Sequence, residues 1–216
     1  MSPIFAVDRS NRESAALGND KPAKPRSTCH FGVGEALYQA GGEGMAWRVR
    51  NGVVRLDTLA PTGKLTFASL AIAGDILGCE TLLFGAYTFS ASALTQCELT
   101  PWPEGEASAT GESLLESLAI AQRRAADVVA LRGGQAIDRV IGLIRLLGDS
   151  QGRVVLPTRQ DIADITNLRF ETISRLIKGL ERSGILATVH IDGVHATRAY
   201  AVKLACLLYT SDAADE

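Results

Sequence analysis

Paired cysteines are missing from this 216-residue chain: Cys29, Cys79, Cys97 and Cys206 stand far apart, and no CxxC occurs. That spacing argues against a zinc site or a redox dithiol, and in a reducing compartment such residues read as small buried apolar groups. Histidine is scarce too, with His30 far from His190 and His195. No nucleophile–base constellation, phosphate loop or metal-ligand spacing appears, so the chain does not read as an enzyme and no metal is expected. No apolar run is long enough to span a bilayer. The first thirty residues lack the apolar core of a signal peptide, which predicts a cytoplasmic protein with no membrane partner. Cations are absent between Lys64 and Arg123.

Apolar residues make up 46% of the chain and charged residues 21%, the balance of an ordinary globular protein of one or two domains. The net charge of −2 argues against a generic nucleic-acid coat. Its distribution says more. Residues 29–111 hold four Lys/Arg against eight Asp/Glu, whereas residues 150–209 hold eight against five. An acidic front and a basic back suit a sensor joined to a DNA-binding unit.

The basic part contains the most informative segment, Pro157 to Gly184. Its apolar positions, Ile162, Ala163, Leu168, Ile173 and Leu176, are spaced for two short helices that cross. Ala163 is small where the second helix must pass close. Asn167 sits at the turn, where Asn tolerates a left-handed backbone. Thr158 can cap the first helix, and Asp161 three residues on resembles a capping box with Asp in place of Glu. The outward residues of the second helix, Arg169, Glu171, Thr172, Ser174, Arg175 and Lys178, are types that bond base edges and phosphates. A plain helical hairpin with a solvated face is the bland alternative.

The rest of the chain falls into regions. Residues 1–28 are polar, with little apolar periodicity, and read as a mobile arm. Residues 29–110 read as a β-roll, jelly-roll-like. Its short apolar runs Ala46–Val49, Val53–Leu56, Leu65–Ala71, Leu82–Phe84 and Thr88–Leu94 are separated by turn signals. Those signals are Gly41-Gly42, Asn51-Gly52, Pro61-Thr62-Gly63, Gly74-Asp75 and Gly85. Asn51-Gly52 between apolar runs predicts a hairpin. Residues 111–133 read as a long helix whose seam, Leu114, Leu118, Ala121, Ala125 and Val128, steps by four and three in the manner of a coiled coil. Leu115, Gln122 and Val129 flank it. The seam predicts a homodimer; a helix packed on its own domain is the alternative. Gly133-Gly134 breaks this helix as a hinge. Residues 134–205 read as a winged helix-turn-helix. It opens with a helix over about Gln135 to Leu147, and Asp192-Gly193 supplies the tight turn of the wing. The fold class is therefore α+β.

This order resembles the CRP/FNR superfamily of bacterial transcription regulators over roughly residues 30–199. The carriers are FGVGEALYQAGG, AIAGDILGCETLLFG with its GD-x-x-G segment (Gly74, Asp75, Gly78), and LPTRQDIADITNLRFETISRLIKGLERSGIL. The resemblance implies a sensor roll, a dimerisation helix, double-stranded DNA as a partner, and RNA polymerase beside it. Thr158, Arg159 and Gln160 fall where relatives bring a helix start onto phosphates. Glu171, Ser174 and Arg175 match the E-x-x-S-R pattern of the FNR branch, which implies a TTGAT-N4-ATCAA palindrome. Phe170 and Ser174 replace the first Arg and the Gly of the R-E-T-x-G-R pattern in the cyclic-AMP receptor branch.

The sensor half departs from two subtypes. Thr88-Phe89-Ser90-Ala91 stands where cyclic-nucleotide binders carry a phosphate-clamping Arg-Ser pair, and Glu80 is one place off. Cyclic AMP is therefore not expected. Only Cys29 lies where the iron–sulfur type needs a cluster of cysteines, so no 4Fe–4S group is expected and no cofactor is assigned. Cys29-His30 reads as an ordinary strand start, since strand neighbours face opposite ways. The effector pocket implied by the resemblance includes Gly78, Cys79, Glu80, Phe89 and Ser90. Arg123, Arg124 and Arg132 are the cations nearest to it in sequence, and they can equally be solvated or paired with Glu116 and Asp127. A redox or haem role for Cys79 stands beside the plainer reading of a small buried residue. Residues 206–216 do not match the closing element of a wing and receive no function. The alternative function is a redox or small-ligand sensor whose DNA domain is vestigial.

Overall fold

A computed structural model describes residues 28–103, 111–195 and 197–203, and for 111–114 the backbone alone. The arm before residue 28, the tail 206–216 and the side chain of Leu114 lie outside the described residues.

The first half is a roll of two four-stranded antiparallel sheets. One has the order β1 (Cys29–Phe31), β8 (Cys97–Trp102), β3 (Ala46–Asn51), β6 (Ile76–Leu77). The other has the order β2 (Ala36–Tyr38), β7 (Ser90–Ala93), β4 (Val53–Leu59), β5 (Leu65–Ile72). Alternation along the strands turns Val49, Leu77 and Leu99 of the first sheet toward Val54, Ala71, Ala91 and Ala93 of the second, and these residues form the core of the roll. The Pro61-Thr62-Gly63 signal closes the β4–β5 hairpin, with Gly63 at φ 77°.

Two expectations are corrected. Asn51-Gly52 does not close a hairpin, because β3 and β4 belong to different sheets. The dipeptide instead turns the chain from one sheet to the other. Gly52 is needed there for two reasons: its φ is 91°, and a Cβ would collide with the Gln96 carbonyl and the Cys97 backbone. The second correction concerns Leu82–Phe84, which is helical and not a strand. It forms most of α1 (Thr81–Phe84), which ends on the left-handed Gly85. A run of three apolar residues carries no period that separates one turn of helix from a strand.

After the roll, α2 (Gly111–Ala130) runs to the Gly133-Gly134 break, where Gly134 takes φ 73°. Next come α3 (Ala136–Leu147), β9 (Arg153–Val155), α4 (Arg159–Thr166), α5 (Phe170–Arg182), β10 (Leu186–Thr188) and β11 (Ala199–Val202). The last three strands form a sheet of order β10-β11-β9. The wing is broader than the Asp192-Gly193 signal implied: residues 189–198 separate its strands, and the turn, with Val194 N–H donating to Ile191 O, sits inside that loop.

One apolar core joins the two halves. It gathers Val140, Leu143 and Ile144 of α3, Ile162 and Ile165 of α4, and Ile173 and Ile177 of α5. It continues through Val128 and Leu131 to Val53, Phe67, Leu70 and Leu94 of the roll. Among the described residues no helix is long and apolar enough to cross a membrane.

Replacing Gly52 with alanine is expected to destabilise the protein by more than about 1 kcal/mol, since alanine must take a positive φ against backbone atoms. Urea unfolding of wild type and variant measures the difference.

Candidate nucleic-acid interface

The helix pair forms because each end of α4 is defined locally. The Thr158 hydroxyl oxygen accepts from the Asp161 N–H at 3.1 Å, and the same hydroxyl donates to the Asp161 carboxylate at 2.6 Å. The cap is therefore a side-chain pair and not the full reciprocal box. At the other end Asn167 takes φ 53° and ψ 46°, the left-handed conformation expected of it, and its N–H returns to the Ala163 carbonyl. The Leu168 N–H bonds the same carbonyl. Ala163, Ile162 and Ile165 then meet Ile173, Ile177 and Leu180, all buried. Burial of this kind holds α5 against α4 as a rigid unit.

The opposite face of α5 is open. Arg169 at its N-cap, Glu171, Arg175 and Lys178 are exposed, and Thr172 and Ser174 are half-buried between them. Phe170 is exposed at 47%, an aromatic among polar neighbours. At the start of α4, Thr158 and Gln160 are exposed, while Arg159 is half-buried with its guanidinium donating to the Tyr200 hydroxyl at 3.3 Å. Tyr200 is buried in β11 and lies 2.7 Å from Glu181 of α5. Burial, then the neighbouring Glu181 carboxylate, pushes its phenol above the usual tyrosine range. Tyr200 thus ties α4, α5 and the wing together. It carried no signal in the sequence, because nothing local marks a tyrosine as a bridge between distant elements.

Several arginines turn inward. Arg198 donates to the Leu156 carbonyl and, across to the roll, to the Leu94 carbonyl, both at 2.7 Å. Arg55 of β4 bonds Asp57 at 2.8 Å and reaches Asp164 of α4 at 3.0 Å and Asp161 at 3.3 Å. Burial opposes its charge, but the bonds to Asp57 and Asp164 outweigh that and raise its pKa. Arg139 donates to the Gly133, Gly134 and Thr166 carbonyls, which ties the α2–α3 break to the end of α4.

A separate cavity of about 320 Å³ lies between the roll and α2, lined among others by Leu56, Ser69, Ile76, Cys79, Leu118 and Arg124. Of the effector residues expected from sequence it takes Cys79 and Arg124. Gly78, Glu80, Phe89, Ser90 and Arg123 do not line it. The reasons are local. Gly78 is left-handed and covered by the Tyr87 ring. Glu80 accepts from the Thr88 N–H, and Ser90 accepts from the Ala40 N–H. Arg132 points instead to α4, donating to the Asp164 and Ile165 carbonyls. Arg124 is matched by Asp75 at 2.9 Å and Asp127 at 3.2 Å. Asp75, of the GD-x-x-G segment, also accepts from the Ile72 N–H, so one carboxylate both shapes the β5–β6 corner and anchors α2.

Of the expected α2 seam, Leu118, Ala121 and Ala125 are exposed, and the side chain of Leu114 lies outside the described residues. Val128 is buried in the chain's own core, which takes it out of the expected dimer seam. Leu115 and Val129 of the flanking stripe are exposed beside the seam. Among the described residues no group of His, Cys, Asp and Glu could hold a metal ion.

A winged helix-turn-helix with a donor-rich second helix, packed beneath a β-roll, defines the class: a DNA-binding regulator. No family model matches the chain. The nitrogen fixation regulation protein FixK of Bradyrhizobium diazoefficiens is 33% identical over 209 residues, covering 86% of this chain and 87% of that protein. The transcriptional regulator LdrP of Thermus thermophilus is 28% identical over 187 residues, covering 82% and 93%. The crystal structure of TTHB099, a CRP-family transcriptional regulator also from Thermus thermophilus, matches with TM-score 0.63 at 29% identity over 83% of this chain and 94% of that one. FixK2 from Bradyrhizobium japonicum, at 23% identity over 82% and 92%, shares the fold with TM-score 0.61. This chain belongs to the CRP/FNR family of transcription regulators.

Cys79 borders the cavity, and burial followed by the nearby Glu80 carboxylate pushes its thiol up. Less thiolate at a given pH means slower alkylation. Iodoacetamide at about pH 8 should modify Cys79 more slowly than free cysteine, as peptide mass mapping would show.

Proposed function

We propose that the chain acts as a homodimer that binds an inverted-repeat promoter site and responds to a signal through its β-roll. The observation that carries this reading is the exposed row Arg169, Glu171, Arg175 and Lys178 on a helix whose other face is locked by Ile173 and Ile177. Arg175 is suited to guanine O6 and N7, Glu171 to a cytosine amino group, and Ser174 with the Thr172 methyl to a thymine. Thr158, Arg159 and Gln160 serve phosphates at the start of α4. For Arg159 this means exchanging its Tyr200 partner for a phosphate. RNA polymerase is the further protein partner in this reading, and the bacterial cytoplasm is the place of action. The signal is one other than cyclic AMP. Among the described residues Arg124 is the one cation lining the cavity; it already faces two carboxylates, and the wall is mainly apolar.

Selection from random duplexes with the purified protein tests the reading. Half-site centres should lie about ten base pairs apart, one DNA turn. A TTGAT-N4-ATCAA consensus is expected. Arg175→Ala should cost roughly 1–3 kcal/mol per half-site and relax preference at the G·C pair. Enrichment of a TGTGA palindrome, or base preference unchanged in Arg175→Ala, overturns the assignment, and no enrichment at all leaves a vestigial DNA domain.

The dimer is read from the exposed Leu118, Ala121 and Ala125 of the seam, flanked by Leu115 and Val129. Each buried leucine contributes roughly 1.5–3 kcal/mol to such a contact. Leu118→Arg sets two cations against each other across the twofold axis. Sedimentation should then show monomer and DNA affinity should collapse; a persisting dimer would place the interface elsewhere.

A further inference from the structure

The helix-turn-helix is gripped at both ends of α4 by arginines from the body that carries the dimer seam. Arg55, on β4, donates through Nη1 to Asp164 at 3.0 Å and Asp161 at 3.3 Å, while its Nε is fixed by Asp57 at 2.8 Å. Arg132, just beyond α2, donates through Nη2 to the Asp164 carbonyl at 3.0 Å and through Nε to the Ile165 carbonyl at 3.1 Å. Those carbonyls belong to the last turn of α4, where the helix dipole favours a cation. Both guanidiniums also lie over the ring of Phe67, at 5.7 Å for Arg55 and 5.0 Å for Arg132. Phe67 is buried in β5. One aromatic ring thus organises two cations that come from separate elements and converge on one short helix.

We propose that Arg55 and Arg132 are positioning residues that set the half-site spacing the dimer accepts. The proposal rests on the reading of the chain as a dimer on an inverted repeat. The twofold axis of that dimer runs beside α2, and Arg132 follows two residues after the end of α2. The α4–α5 pair is rigid through Ile162, Ile165, Ile173 and Ile177. Any tilt of α4 about Phe67 therefore becomes a displacement of α5 relative to the axis. One base-pair step of a strand is about 3.4 Å, so a shift of that order between two reading helices changes the preferred spacer by about one base pair. The apolar core sets how closely α4 packs on the roll but selects its tilt less sharply than directional bonds do. The arginine forks are directional, and they act on both ends of α4.

The test measures the affinity of the full-length protein for duplexes that carry identical half-sites and spacers of about three to six base pairs. The proteins compared are wild type, Arg55→Gln, Arg132→Gln and Asp164→Asn. Asp164 is half-buried and more open than Arg55, so its variant keeps the proposal testable if an arginine variant fails to fold. Wild type should prefer one spacer by about tenfold, the factor that about 1.4 kcal/mol represents. In the variants that preference should fall severalfold while base preference within the half-site stays the same, and Arg55→Lys should recover part of it by keeping the charge. If the folded variants weaken binding equally at every spacer, the two arginines are merely structural and the proposal is overturned. If wild type shows no preference for an inverted repeat, the dimeric reading itself fails, which is a different result from a wild type that discriminates spacers alongside variants that discriminate equally.

Discussion

Burial of one continuous apolar surface, shared by the roll and the C-terminal helices, is the constraint from which the remaining features follow. Phe67, Leu70 and Leu94 of the roll, Val128 and Leu131 of α2 and its end, and Ile144, Ile162, Ile165 and Ile177 of the helical domain lie in a single cluster. The chain cannot solvate one half of that surface without uncovering the other. The helix-turn-helix therefore packs on the roll through α4, and the roll shares the packed residues that hold α4 and α5 together.

Electrostatics divides the arginines into two groups. Arg55, Arg124, Arg132, Arg139 and Arg198 bond carboxylates or carbonyls within the chain. Arg169, Arg175 and Lys178 project from α5. The first group supplies direction where apolar packing supplies none, and the second keeps its charge for a partner. This division resolves the small net charge. A chain at −2 can present a basic reading face because many of its cations and anions neutralise each other inside.

The helix-turn-helix was legible in the sequence because its determinants are local. Thr158, Ala163, Asn167 and the spacing of Ile162, Leu168 and Ile173 act over a few residues, and each does in the fold what its chemistry suggested. The roll was legible as a class, through its turn signals, but not in its pairings. Asn51-Gly52 is a hairpin signal that serves as a corner, since strand partners are chosen by long-range packing and not by the turn alone. Leu82–Phe84 was too short to carry a period. The residues named for an effector pocket are only partly gathered at one cavity, which Cys79 and Arg124 line. Gly78, Glu80 and Ser90 are close in sequence to the cavity, yet their side chains or backbone are committed to neighbouring loops.

Local chemistry was enough to set the class of protein, the order of its parts and the helix-turn-helix geometry. Those follow from period, capping and turn geometry, which operate within one or two turns of chain. Which residues of α2 face outward was left to long-range packing, since Val128 and Val129 have the same apolar character and only the shared core distinguishes them. The meeting of Arg55, Phe67 and Arg132 at α4 was left to it as well. Those residues come from three separate elements, β4, β5 and the end of α2, and no local rule joins side chains that the folding of two domains onto one core brings together.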